Sequence, residues 1–451
     1  MERICIPAEV RAILAQLNAA GFAAYAVGGC VRDGLRGQSP QDWDICTSAK
    51  PQETAACFAP ERVLLTGERF GTVTLLRGGA GYEITTFRAE RGYSDSRHPD
   101  SVEFLPELRG DLMRRDFTVN AMAADADGNV TDLFGGRSDL EKGIIRCVGE
   151  ASERFSEDAL RILRGLRFAA RFGFSVAPET AEAMHAERLR LKQVSQERLR
   201  KELCGLLLGR DAMRVLDEFF DVLCVIIPEL APMRGFAQYN PHHCTDVWQH
   251  TLRVLGGVPA QEPLRLAALL HDAAKPDTFV FDKNLVGHFP GHDIAGAALA
   301  ESILKRLRFD AQTVHEVTEL IRQHMRPLLP ATERSVRRLL ASIGPEQTRR
   351  LLLLHRADRL GKGTEDEAAL RAQVAQAEAL LDGLLAGDAC FSLRQLAVSG
   401  KDLIALGIAP GKRMGEILNA LLQAVIAGTL PNEHAALYAA ACDYAQKDLE
   451  N

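Results

Sequence analysis

AVGGCVRDGLRGQSPQDWDI, residues Ala26 to Ile45, ends a short apolar run, turns on two glycines, opens a helix and then brackets a tryptophan with two aspartates. Gly28 and Gly29 at a strand-to-helix turn leave backbone amides free for phosphate oxygens, and Arg32 on the following helix adds charge. A plain strand–turn–helix corner carries the same doublet, so the aspartates decide more. Asp42 and Asp44 flank Trp43 between Pro40 and Ile45. On a strand, the two-residue repeat sets both carboxylates on one face and Trp43 on the other. Two carboxylates side by side repel unless a cation sits between them, and hard oxygen ligands at this spacing suit Mg²⁺. A solvent-facing pair at a turn is the alternative. Glu83 lies in the next clear strand, YEITTF (Tyr82–Phe87), and can face the same cation.

Outward from this stretch, residues 1–145 carry short β-rich runs such as TVTLL (Thr72–Leu76), separated by glycine turns such as RGGAG. Apolar residues then recur at helical spacing to the C-terminus, with no tandem repeat. The expected fold class is α+β, a small mixed-sheet head followed by an all-α remainder. With 47% hydrophobic and 25% charged residues, the 451-residue chain is neither a disordered tail, a collagen-like fibre nor a disulfide-stapled miniprotein. Its net charge of −6 speaks against a nucleic-acid partner, yet residues 146–210 hold 13 basic and 9 acidic residues. Within them, helical winding puts Ile162, Leu163, Leu166, Ala169 and Ala170 on one side. Arg161, Arg164, Arg167 and Arg171 share an arc of roughly 120° on the other. Such a stripe is either a solvated face or a surface for triphosphate or RNA backbone. No apolar run reaches the ~18–20 residues of a membrane span, and MERICIPAEVRAILAQL lacks a signal-peptide core. Ten cysteines without a CxxC pair fit reduced thiols in a cytoplasmic protein.

A glycine doublet, a DxD and a later strand carboxylate form the layout of the polymerase-β-like nucleotidyltransferases. Beyond them come TFRAERGYSDSRHPDSVEF (Thr86–Phe104), DLMRRDFTVNAMAAD (Asp111–Asp125), DLFGGRSDLEKGIIR (Asp132–Arg146), RFSEDALRILRGLRFAARFGF (Arg154–Phe174) and SQERLRKEL (Ser195–Leu203). In this order the chain resembles the class II, bacterial-type CCA-adding enzymes, related to bacterial poly(A) polymerases. The likeness is dense over the first ~205 residues and looser through GKDLIALGIAPGKRMGEIL (Gly400–Leu418). It implies a catalytic head (1–145), a base-selecting, RNA-binding neck (146–210), a helical body (211–362) and a tRNA-binding tail (363–451).

The implied activity is template-independent addition of CCA to tRNA 3′ ends from CTP and ATP, with release of pyrophosphate. Asp42 and Asp44 would hold Mg²⁺, with Glu83 the third catalytic acid. Gly28, Gly29 and Arg32 would meet the triphosphate, and Arg115, Arg164 and Arg167 the nucleotide or its phosphates. Asp158 and Arg161, in the EDxxR pattern, would pair with the incoming base in place of a template. The Arg88–Phe104 stretch reads as a polar, mobile loop; at full length, with Arg88, Glu90, Arg91, Asp95 and Arg97, it favours complete CCA over CC addition. An A-adding enzyme keeps such a loop and stays open. His98 stands where the family commonly has Arg. A poly(A) polymerase would carry a basic C-terminal extension, whereas this chain ends CDYAQKDLEN. The implied partners are tRNA, CTP and ATP, with no membrane and no obligate protein partner.

A second constellation follows in PHHCTDVWQHTLRVL (Pro241–Leu255), LRLAALLHDAAKPD (Leu264–Asp277) and GHFPGHDIAGA (Gly287–Ala297). His250, His271, Asp272 and Asp358 have the order of HD-domain metal phosphohydrolases, and His292 and His324 match added ligands of two-metal members. Such ligands suit Mn²⁺, Ni²⁺, Co²⁺ or Mg²⁺. A structural His–Asp pair stays open, as does the reading from another class, an HD phosphohydrolase with an RNA-binding head.

Overall fold

The computed structural model describes residues 3–91, 101–240, 245–363, 366–386 and 390–446. They fall into two compact units, Met1–Ala231 and Pro232–Asn451. The first opens with β1 (Ala24–Val27), β2 (Ile45–Thr47), β3 (Arg62–Gly67), β4 (Thr72–Arg77), β5 (Ala80–Thr86), β6 (Arg88–Arg91), β7 (Ser101–Phe104), β8 (Met122–Ala124) and β9 (Val130–Asp132). Seven of these build one sheet in the order β3-β4-β5-β2-β1-β8-β9. β2 and β5 run parallel and the other neighbours antiparallel, so the sheet is mixed as expected.

Local chemistry explains these strands. Between β4 and β5 the chain reverses at Gly78 and Gly79, whose φ angles of +60° and +82° are the left-handed pair that a tight two-residue hairpin needs. Alternation then sorts the faces. Val73, Ile84 and Ile45 pack with Ile13, Leu14 and Leu17 of the helix Ala8–Ala19, while Val27, Cys46, Phe87 and Leu112 fill the opposite face. The Arg88–Phe104 stretch differs from a plain loop at its ends. β6 and β7 pair there, with Arg88 opposite Phe104 and Arg91 opposite Ser101. Asp95, Arg97 and His98 lie outside the described residues.

The helices Ala151–Glu157 and Leu160–Phe172 follow, broken at Asp158, whose backbone is extended (φ −142°, ψ 102°). Its carboxylate accepts from the N–H of Leu160, the first residue of the second helix, at 3.0 Å. Phe168 of that helix meets Phe117 edge-on, with centroids 6.0 Å apart at 87°. The second unit is mostly helical, including Val247–Gly257, Glu262–Leu270, His292–Arg306, Ala311–Gln323 and Glu333–Gly361, the last broken at Gly344 before Pro345. It departs from the all-α expectation in one short hairpin, where Val280–Phe281 pairs antiparallel with Gly287–His288. Among the described residues no helix is long and apolar enough to cross a membrane. The nine described cysteines are free, five of them buried; Cys244 lies outside.

Phe117 is fully enclosed between the sheet and the helix Leu160–Phe172. Phe117→Ala should therefore destabilise the first unit by about 3–5 kcal/mol, measured by urea unfolding.

Candidate functional site

Gly28 has φ +84°, and a Cβ there would lie 2.8 Å from an Arg115 guanidinium nitrogen. The backbone angles there, φ +84° and ψ −128°, favour glycine, and any side chain would also push the Arg115 guanidinium aside. The helix Gly29–Leu35 begins directly after it. Asp42 and Asp44 lie on the extended approach to β2, with the Asp44 carbonyl accepting from Val27 N at 2.9 Å. Trp43 packs into the core beside Ile45, leaving both aspartates on the other face, as the two-residue repeat requires. Ile45, the first residue of β2, is the register partner of Ile84, so Asp44 and Glu83 each directly precede a paired position, Asp44 just before its strand and Glu83 within β5. All three acids are solvent-exposed. Partial loss of solvent raises the Asp44 carboxyl above its ordinary value; Arg115 opposes this and the charge of Asp42 adds to it. Like charges on one face, with Asp44 already resisting ionisation, fit a bound cation.

Arg32 and the neck arginines are held by carboxylates and amides that the sequence reading did not single out. Arg32 is buried, donating to Asn120 Oδ1 at 2.6 Å and to both oxygens of Asp33. Arg115 pairs with the buried Asp111 at 3.3 Å. Arg164 donates twice to Asp116 Oδ2, at 2.9 and 2.8 Å, and Arg167 lies 2.8 Å from Glu202. Asp158 is paired with Arg198 at 2.8 Å, and Arg161 with Glu157 at 2.6 Å. The arginine stripe is thus largely neutralised, because its acidic partners come from other segments of the chain. Burial pushes the Asp116 carboxyl up, but the charge and hydrogen bonds of Arg164, with Asn120 and Arg161, outweigh it and hold the group at about 2.

In the second unit the six sequence-predicted ligands converge. His250 Nε2 lies 3.0 Å from Asp358 and 3.4 Å from Asp272, and His271 Nε2 3.2 Å from Asp272. The other Asp272 oxygen faces His292 Nε2 at 3.5 Å and His324 Nε2 at 3.9 Å. Two groups of potential ligands, His250–His271–Asp272 and Asp272–His292–His324, share the aspartate. His271, His292 and His324 hydrogen-bond through Nδ1 to the carbonyls of Ala268, Phe289 and Ile321. Those contacts fix the tautomer and turn each Nε2 inward. Burial lowers His292, and His324 to about 4, which keeps both imidazoles neutral. Lys275 and Lys362, missed from the sequence, lie 2.8 Å from Asp272 and 3.0 Å from Asp358. A cavity of about 180 Å³ opens here, lined by Asn240, Lys275, His292, His324 and Lys362.

A mixed sheet with a glycine turn and strand-borne acids defines a nucleotidyltransferase head, and residues 24–146 match the Poly A polymerase head domain. Residues 294–441 match the tRNA nucleotidyltransferase domain 2 model. The CCA-adding enzyme of Levilactobacillus brevis is 35% identical over 444 residues, covering 96% of this chain and 97% of that one. A Lactobacillus delbrueckii CCA-adding enzyme is 47% identical over 207 residues, 46% of this chain and 52% of its own. The crystal structure of the Bacillus stearothermophilus CCA-adding enzyme in complex with CTP aligns with a TM-score of 0.70 and 28% identity, covering 98% of each chain. This chain belongs to the CCA-adding enzyme family. Dependence on a divalent metal comes with that family.

Asp116 is a depressed carboxylate, so its stabilising contribution is complete above the ordinary aspartate range and lost as pH falls from about 4 towards 2. Asp116→Asn should cost about 2 kcal/mol at neutral pH and flatten the acid limb of a pH–stability curve over that window.

Proposed function

We propose that this chain adds CCA to tRNA 3′ ends without a nucleic-acid template, taking CTP and ATP and releasing pyrophosphate. The observation that carries the reading is one compact unit holding the glycine turn, the Asp42–Asp44 pair and the Asp158–Arg161 helix start, in a chain of this family. In this reading residues 1–145 are the catalytic head, 146–210 select the base, 211–362 form the body and 363–451 bind tRNA. Acting on tRNA, the enzyme works in the cytoplasm.

Asp42 and Asp44, with Glu83 beside them, would hold Mg²⁺, which when bound supplies charge neutralisation at the α-phosphate and activation of the 3′-hydroxyl. The Gly29 amide, Arg32 and Arg115 orient the triphosphate, whereas the Gly28 amide, expected free from the sequence, donates to the Met122 carbonyl at 3.2 Å. Arg164 and Arg167, still partly exposed, line the nucleotide side. Asp158 accepts from the exocyclic amine of C or A, and Arg161 donates to a ring acceptor, an edge that U and G do not present. Each exchanges its present partner, Arg198 or Glu157, for the base.

A second site is favoured by His292 and His324. Their Nε2 atoms lie 3.2 Å apart while each Nδ1 is bound to a carbonyl, so two lone pairs face each other and fit a cation. His250, His271, Asp272 and Asp358 would hold one ion and Asp272, His292 and His324 another; when bound, such ions would supply Lewis-acid chemistry for phosphate-ester hydrolysis.

Asp42→Asn should lower incorporation of labelled CTP and ATP into tRNA lacking CCA by roughly two to three orders of magnitude or more. Asp158→Ala should erode discrimination of C and A from U and G; unchanged discrimination would remove the protein-template role. Calorimetric titration of an Asp42→Asn/Asp44→Asn variant with Mn²⁺, which leaves the head carboxylates out of the count, should find two ions per chain, one for each ligand group, and one after adding His324→Ala. A stoichiometry unaltered by His324→Ala would contradict the second-site assignment.

A further inference from the structure

Arg171 is the one member of the neck stripe that no carboxylate neutralises among the described residues. The other three are held by Glu157, Asp116 and Glu202. Arg171 instead stacks over Phe172 at 5.4 Å, and two arginines from elsewhere join it. Arg36, at the end of the glycine-turn helix, lies 4.4 Å over Phe172 and 5.8 Å over Phe174. Arg210, in the turn after the helix Gln196–Leu207, donates to the Phe172 carbonyl and lies against Gly173. That turn is fixed in place, since Asp211 N donates to Ala170 O at 3.0 Å and a Cβ on Gly209 would lie 2.7 Å from Ala170. Gly173, at φ +68°, ends the neck helix and brings Phe174 back to within 5.5 Å of Phe172.

Three segments far apart in sequence therefore bring guanidinium groups together at the end of the neck helix, Arg36 and Arg171 over the phenylalanine rings and Arg210 on the Phe172 carbonyl. Among the described residues no carboxylate neutralises these three arginines. Asp33 is committed to Arg32, and Asp211, the neighbour of Arg210, is taken by Arg214 at 2.6 Å. Arg36 has only a 3.4 Å contact to Gln38. Burial, and then the charges of Arg32, Arg210 and Arg171, lower the Arg36 pKa against the pull of Asp33. A guanidinium stacked by its face on a ring keeps its in-plane N–H donors free, and these match phosphate oxygens. Arg171 and Arg210 are exposed and Arg36 half-buried, so the donors reach solvent.

The position separates this cluster from the nucleotide. Arg32 reaches back toward the glycine turn, its terminal nitrogen 3.6 Å from a Cβ placed on Gly29. Arg36 sits one helical turn, about 5.4 Å, further along the same helix. We propose that Arg36, Arg171 and Arg210 form a phosphate-binding surface for the backbone of the RNA substrate, distinct from the triphosphate site. The proposal rests on the reading of tRNA as substrate, and places part of its hold on the outside of the head–neck junction.

The test is fluorescence anisotropy of a labelled tRNA ending before CCA, titrated with the full-length protein from about 50 to about 200 mM salt. Arg171→Ala and Arg210→Ala should each weaken binding and reduce the slope of log affinity against log salt by about 0.7–0.9. Each variant's deficit should then shrink about threefold across that range. Arg171→Lys should keep most of the slope. Arg214→Ala, whose partners Asp211 and Glu218 already neutralise it, should leave it unchanged. Affinity for CTP alone should not change in the Arg171 and Arg210 variants. An unaltered slope in both, or a loss of CTP affinity in its place, would overturn the proposal. Wild-type protein that binds no tRNA would overturn the substrate reading as well.

Discussion

Asp116 is a buried carboxylate whose two oxygens are used by different parts of the first unit. One accepts from Phe117 N at 2.8 Å and from Asn120 at 3.2 Å; the other takes both donors of Arg164. Asn120 passes the connection on through its own oxygen to Arg32, on the glycine-turn helix. Arg32 in turn lies 5.4 Å over Phe168 and 4.8 Å over Phe172, back on the helix that carries Arg164. The glycine turn, the Asp111–Asp125 segment and the neck helix are thus closed into one ring of charge-assisted bonds and ring contacts. A half-satisfied network of this kind leaves buried charge unpaired, which is costly, so its members hold one another in place. The sheet fixes where Asp42, Asp44 and Glu83 stand, and the ring fixes where the neck stands against them.

The same constraint gives meaning to the distribution of charge. A net charge of −6 hides a basic neck, but most neck arginines are already committed to carboxylates. These pairs shape the unit, and their positive charge is not displayed. What is displayed is the smaller group around Phe172. In the second unit the logic differs: imidazoles and buried carboxylates gather in one cluster around Asp272, an arrangement that fits a bound cation.

What could be read from the sequence was whatever local geometry determines. Gly28 and the Gly78–Gly79 hairpin follow from backbone sterics, the faces of β4 and β5 from alternation, and Trp43 against the two aspartates from the strand repeat. The histidines and aspartates of the second unit were legible from their order, because each sits at a helix end or face that the order preserves. Partner choice was not legible. Arg164 and Asp116 are 48 residues apart, Asp158 and Arg198 40 apart. A helical wheel places an arginine on a face but says nothing of the carboxylate opposite it. Lys275 and Lys362 escaped for the same reason, although Lys275 stands three residues after Asp272 in HDAAK, one helical turn from the ligand. The polar stretch after Phe87 was read by composition, which does not report that its ends pair as strands.

The most direct measurement is the product ladder of the wild-type protein with Mg²⁺, each nucleotide triphosphate alone or CTP and ATP together, on tRNAs ending before CCA, at C and at CC. The account predicts C, C and then A, with the chain stopping there and with neither U nor G incorporated. Incorporation confined to the CC-ending tRNA, with no C added to the tRNAs ending before CCA or at C, or extension into long A tails, would contradict it.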